Sequence, residues 1–177
     1  MEYNNPSEIV KDLSFGINAR EKIMHGVDKL TNAVKSTLGA SGKCVIYEDA
    51  MGRPVITKDG VTVAESVVLY DPVENIGATL IKEAAKNTVK EAGDGTTTAT
   101  VIAHSLLHLA NDKKYAQTVR PIKEGILSAL DKVNKYLDEK AIPVEGDMLE
   151  SVAQISCNND KALGKVISQA YSKVGKD

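Results

Sequence analysis

The stretch EAGDGTTTAT, Glu91–Thr100, constrains the chain more than any other. An aspartate stands between two glycines and three threonines follow in a row. Glycines permit backbone shapes that other residues resist, and they let a ligand approach the main chain. Apolar positions at helical spacing lie on both sides, so the segment must be a tight break between two helices. Thr96–Thr98 then fall in the first turn of the second helix. Unpaired N–H groups and the positive end of the helix dipole point out of such a turn, which favours an anion. The threonine hydroxyls add donors. Asp94 would repel a bare phosphate, but it suits a hard cation such as Mg2+ that also takes phosphate oxygens. An Asp-Gly turn with a threonine cap is the plainer alternative. The pattern is not a P-loop, because no lysine follows the second glycine.

Composition excludes several other functions. The 177 residues suffice for a sizeable core. A net charge of -2 provides no basic field for nucleic acid, and 4% aromatic content leaves few stacking platforms. No apolar run reaches the length of a membrane span. The start, MEYNNPSEIVKD, has neither the signal-peptide nor the transit-peptide pattern. Cys44 and Cys157 are far apart and lack metal-ligand spacing, which reads as free thiols in a reducing cytoplasm.

Residues 1–14 read as a loose arm. Asn18 is expected to cap a helix running to about Leu38, with Ile23, Val27, Leu30, Val34 and Leu38 as its buried stripe. GASG, Gly39–Gly42, stops it. KCVIYE and VITKDG form a hairpin candidate over Lys43–Gly60, too small to be stable alone and in need of a partner edge. A short helix in VTVAESVVL follows. Asp71-Pro72 opens a long helix to about Glu91, with Ala78, Ile81, Ala85 and Val89 inward. The next runs from Thr96 to about Leu109 through Ala99, Ile102, Ala103 and Leu106. Pro121 opens a helix to Leu137, with Ile122, Ile126, Leu130, Val133 and Leu137 on one face. Asp147 and Asp160 cap two more, the last with Leu163, Ile167, Ala170 and Val174 inward. The fold class is mainly α with one β-hairpin. Pro143–Gly146 marks a boundary between residues 1–142 and 143–177.

Two further segments carry chemistry. In TKDG, Thr57–Gly60, Lys58 and Asp59 follow a strand, and Asp59 is a candidate second carboxylate beside a metal or an attacking water. A solvated turn is the plainer reading. TLGASG, Thr37–Gly42, is either a helix stop or a loop against which a nucleotide lies. His104 and His108 have zinc-ligand spacing on one helix, but no third ligand lies nearby in the sequence, so no metal site is expected there.

The run TLGASGKCVIYEDAMGRPVITKDGVTVAESVVLYDPVENIGATLIKEAAKNTVKEAGDGTTTATVIA resembles the N-terminal part of group I, GroEL-like chaperonins. The likeness extends from FGINAREKIMHGVDKLTNAVKSTLG to the end of the chain. It implies a ring-forming cytoplasmic ATPase that assists the folding of client proteins, with ATP, Mg2+ and K+ as ligands. The implied partners are other subunits, unfolded proteins and a co-chaperonin. By the resemblance, Thr37, Leu38, Gly39 and Ala40 line the nucleotide and Lys58 lies near the phosphates. Asp94, Gly95, Thr96, Thr97 and Thr98 bind phosphate, with Asp94 on Mg2+, and Asp59 lies by the attacking water. Ala40 and Ser41 stand where the family usually has proline and a basic residue. The same resemblance divides the chain into the first part of an equatorial domain and the start of an intermediate domain, without an apical domain. It implies that residues 1–177 supply one wall of an active site and, alone, bind ATP weakly and do not hydrolyse it. A non-catalytic chaperonin-derived interaction protein and a small-molecule phosphotransferase are the alternatives; the latter lacks an acceptor pocket and a second base.

Overall fold

The computed structural model describes residues 12–39, 41–112, 119–157 and 159–175. Most of the expected arm and Ala40 therefore lie outside the described residues. In chain order come α1 (Gly16–Lys35), β1 (Val45–Glu48), β2 (Pro54–Thr57), α2 (Gly60–Ser66), α3 (Pro72–Ala92), α4 (Thr96–Asn111), α5 (Val119–Lys140), α6 (Met148–Ser156) and α7 (Lys161–Val174). The chain is mainly helical with one antiparallel hairpin, as its periodicities indicate. Two compact units divide at Val119/Arg120.

In the first unit, α1, α2 and α3 share one core. Val27, Leu30 and Val34 of α1 meet Val63 and Ala64 of α2 and Ala78 and Ile81 of α3; Val45 and Ala103 pack against them. The crossing of α1 over α3 is set by two glycines. A Cβ on Gly26 would overlap the Glu74 carbonyl, and one on Gly77 would overlap the Ile23 carbonyl. Backbone therefore lies on backbone. Two ion pairs and a hydrogen bond line the same crossing: Lys22–Asp71 at 2.7 Å, Lys29–Glu74 at 2.6 Å, and His25 Nδ1 with Glu74 Oε1 at 2.8 Å. Asp71 also accepts from the Val73 and Glu74 N–H groups, which fixes the start of α3 as Asp-Pro predicts.

Two details of α1 differ from expectation. The helix starts at Gly16 behind Phe15, and no side chain caps it, so Asn18 lies inside the helix. It also ends at Lys35, where the hydroxyls of Ser36 and Thr37 donate to the Ala33 and Val34 carbonyls. Leu38 thus falls outside the buried stripe.

The hairpin pairs Val45 with Thr57, Ile46 with Ile56, Tyr47 with Val55 and Glu48 with Pro54. It is the only sheet among the described residues. Strand alternation puts Val45 toward the core, while Ile46 and Ile56 remain two-thirds exposed, opposite one another. That apolar pair, beside an unpaired edge, is the part fit for joining another strand or surface. Ile46→Asp/Ile56→Asp is therefore expected to abolish self-association and spare helicity, whereas Val45→Asp also damages the core. Light scattering with circular dichroism checks both. Unchanged oligomer size in the double variant would exclude the hairpin as a joint.

In the second unit, α6 packs on α7 through small residues. Gly164 and Ser168 are buried, and a Cβ on Gly164 would come within 2.7 Å of Gln154 Cα. Asp160 caps α7 by accepting from the Leu163 N–H, while Asp147 makes no side-chain cap. The expected inward stripe of α7 is a correction. Leu163, Ala170 and Val174 are exposed, because the close crossing selects the small-residue face. α5 buries no residue.

Candidate functional site

Three helix-terminal loops of the first unit meet at one cleft. Thr37, Leu38 and Gly39 follow α1; Lys58, Asp59 and Gly60 join β2 to α2; Asp94–Thr98 join α3 to α4. The cleft has a volume of about 260 Å³. The described candidates Thr37, Leu38, Gly39, Lys58, Asp59 and Asp94–Thr98 all line it, with Gly60 in addition, whereas Gly93 and Thr57 do not.

Local chemistry explains the convergence. Gly93 ends α3 in the left-handed conformation at φ 74°, donating its N–H to the Val89 carbonyl. Gly95, at φ 87°, starts α4. Two left-handed positions one residue apart reverse the chain and require glycine. Asp94 is held between them, with its Oδ1 accepting from the Gly95 N–H at 2.6 Å. Its other oxygen has no partner among the described residues. Since Gly95 has no side chain, nothing caps α4, and the first-turn donors at Thr96–Thr98 face the cleft region. Thr97 Oγ1 lies 3.4 Å from Thr37 Oγ1, which ties the α1 loop to the α4 terminus. A Cβ at Gly60 would overlap Thr97 Oγ1, so glycine is what lets α2 approach α4.

Asp59 has a structural duty that sequence reasoning did not assign. Its Oδ2 accepts from the Thr62 N–H at 2.8 Å and the Thr62 hydroxyl at 2.5 Å, capping α2. The signal was present: Asp directly before a short helix is a favoured N-cap. Partial burial works to raise the Asp59 carboxyl. The hydrogen bonds from Thr62 and the Val61 N–H outweigh it and hold the group below the usual carboxylate range. Asp59 is therefore ionised at neutral pH. Lys58 is exposed at the rim and supplies the local cation.

The lining thus offers hydroxyl and N–H donors, two carboxylates and one ammonium. Oxygen donors of this kind suit Mg2+ better than softer metals, and N–H and ammonium groups suit phosphate. A helical domain with a polar, glycine-built cleft between helix ends is the class that fold and site define. A model of the TCP-1/cpn60 chaperonin family matches residues 30–177, and the chain belongs to that family.

Solved chaperonins share its fold. The chaperonin gp146 of bacteriophage EL 2 (Pseudomonas aeruginosa), crystallised in the presence of ATP-BeFx, matches with a TM-score of 0.79 and 32% identity. That match covers 92% of this chain and 29% of gp146. A group III chaperonin in the open state matches with a TM-score of 0.75 and 26% identity, over 90% of this chain and 32% of that one. The chain therefore spans about a third or less of the chaperonins it resembles. None of the described helices is long and apolar enough to cross a membrane.

Proposed function

We propose that the cleft binds Mg2+-ATP and that the protein works as the nucleotide-hydrolysing part of a ring-forming chaperonin of the group I, GroEL-like type. Its cycle would drive the folding of client proteins in the cytoplasm, with further subunits and a co-chaperonin as partners. The observation that carries this reading is the convergence of Thr37–Gly39, Lys58–Asp59 and Asp94–Thr98 on one cleft. The family membership and the ATP analogue present with gp146 support it.

In this reading the Thr37–Gly39 loop, with Ala40 beyond it, bears the nucleotide. Gly95–Thr98 donate to phosphate oxygens and Lys58 adds charge. Asp94, whose other oxygen has no partner among the described residues, would hold Mg2+, and the cation would neutralise and polarise the phosphates. Asp59 orients the attacking water as an ionised base. K+, when bound, would add to the neutralisation of the phosphates. Residues 1–142 form the equatorial part and 143–177 the start of the intermediate domain. Rate comes from positioning and charge stabilisation, as in other phosphoryl transfers. The cleft lies below the roughly 300–1,000 Å³ of pockets that enclose a drug-sized ligand. Described walls of that size would suit phosphates better than a whole nucleotide, so these residues by themselves are expected to bind ATP weakly.

Asp59 tests the assignment, because two roles meet on it. Asp59→Asn keeps a cap acceptor and removes the base. It should lower kcat of the assembled chaperonin at least ~100-fold while apparent ATP affinity changes less than about threefold. Asp59→Ala should in addition lower stability by about 1 kcal/mol through the lost cap. Steady-state phosphate release beside thermal melts separates the two. An Asp59→Asn protein with normal turnover would remove Asp59 from the chemistry. No Mg2+-ATP binding by the wild-type assembly in calorimetry would remove the reading itself.

A further inference from the structure

His104 and His108 do acquire a third partner, from α1. Asp28 Oδ1 lies 2.8 Å from His104 Nε2 and 2.5 Å from His108 Nε2, and the ring centroids are 4.4 Å apart. The expectation that no third ligand is available is thereby corrected. We propose that Asp28, His104 and His108 form a site for a divalent cation of the zinc class, clasping α1 to α4.

Four observations carry the proposal. The two histidines are one turn apart on α4, so both rings leave the same face. Both Nε2 atoms converge on a single carboxylate oxygen rather than on separate acceptors. The three ligand atoms all lie within 4.8 Å of one another. A four-coordinate zinc with bonds near 2.0–2.1 Å needs separations of about 3.4 Å, a change that side-chain rotation supplies. Finally, the trio is reachable: side-chain exposures are 25% for His104, 33% for Asp28 and 46% for His108. Asp28 also lines a second cleft, of about 410 Å³, with Asn18, Glu21 and Asn111 among its walls. Water can occupy a fourth position from that side, where His25 stays paired with Glu74.

The donor set separates this site from the nucleotide cleft. Two imidazoles and one carboxylate favour zinc, nickel or copper, whereas the carboxylate and hydroxyls at Asp94–Thr98 favour Mg2+. Burial works to raise the Asp28 carboxyl, but hydrogen bonds from His108 and His104 more than offset it. The carboxylate is thus already ionised. Ligation needs each Nε2 without its proton. The ring proton moves to Nδ1, or leaves to solvent from a doubly protonated ring. The bound cation would cross-link helices whose members are 76 and 80 residues apart in the chain.

The test uses the untagged protein, stripped of metal, titrated with zinc chloride against a chromophoric zinc indicator. One zinc per chain is expected, and cobalt chloride should give the intense visible bands of four-coordinate cobalt. Asp28→Asn, which keeps an acceptor for both rings, and His108→Gln should each weaken zinc affinity at least ~10-fold. His25→Gln, whose ring pairs with Glu74 instead, should leave it unchanged. Circular dichroism checks the fold of each variant. Where a variant does not fold, imidazole NMR of the wild type decides: zinc should shift the His104 and His108 signals and leave His25. No zinc withdrawn from the indicator would overturn the proposal. So would equal uptake by the His104→Gln/His108→Gln protein, or a shift confined to His25.

Discussion

Asp94→Ala is expected to lower ATP turnover of the assembled chaperonin at least ~100-fold and to make nucleotide affinity insensitive to Mg2+. The side chain is exposed, and its one hydrogen bond among the described residues is to the neighbouring Gly95 N–H. Stability should therefore change by no more than about 1 kcal/mol. Function and fold separate cleanly here, unlike at Asp59, whose carboxylate also caps α2. The measurement is phosphate release with and without Mg2+, beside calorimetric titration of ATP. Turnover in the variant that stays Mg2+-dependent and within threefold of wild type would show that the cation is held elsewhere. Asp94→Asn adds a graded check. It keeps the size and the Gly95 contact and removes the charge, so it should resemble alanine in catalysis.

Gly77→Val is expected to unfold the first unit. Overpacking a core usually costs about 1–3 kcal/mol, because neighbouring side chains can shift. At Gly77 the atom in the way is the Ile23 carbonyl oxygen, part of helix α1, and at Gly26 it is the Glu74 carbonyl of α3. Relief requires separating two helices that carry Val27, Leu30, Ala78 and Ile81 between them. It also pulls apart the Lys22–Asp71 and Lys29–Glu74 pairs. A loss above ~4 kcal/mol takes a large part of the 5–15 kcal/mol that holds a domain together. Urea denaturation followed by circular dichroism measures it. Gly125→Ala is the control, since nothing lies within 4 Å of a Cβ there. In a helix interior that change should stabilise α5 by about 0.5–1 kcal/mol. A Gly77→Val protein as stable as wild type would mean that α1 and α3 do not touch as described.

The helices and the hairpin were legible because their signals are local. Asp71-Pro72, Asp160 and the β-branched runs around Val45 and Val55 act within a few residues. The segments lining the cleft were legible for a related reason: each is a loop at the end of a regular element, and its glycines and hydroxyls suit little else. Partnerships between distant elements were not legible. Asp28 lies far from His104 in sequence, and no period or spacing links them. The inward face of α7 was misjudged because apolar periodicity selects the largest side chains, whereas a close crossing selects Gly164 and Ser168. On α4 the same bias picked Ile102 and Leu106, which are exposed, while Thr96 and Thr100 are buried. Asp59 was seen as a chemical group and not as a cap, because a carboxylate can serve both ends and the spacing alone does not choose.

α5 has a consequence for cooperativity. Its 22 residues bury no side chain, and Leu130, Val133 and Leu137 are about half exposed. Its support within the helix comes from propensity, the Arg120–Glu124 pair one turn apart and Lys140 over the Tyr136 ring. Helices shorter than about 12–15 residues are marginal in water, and longer ones fray progressively from their ends. A segment with so few buried contacts is expected to exchange its amide protons through local opening. On heating, α5 is then expected to lose helix gradually from its ends, which amide exchange along residues 119–140 would show as protection falling toward both ends of the helix.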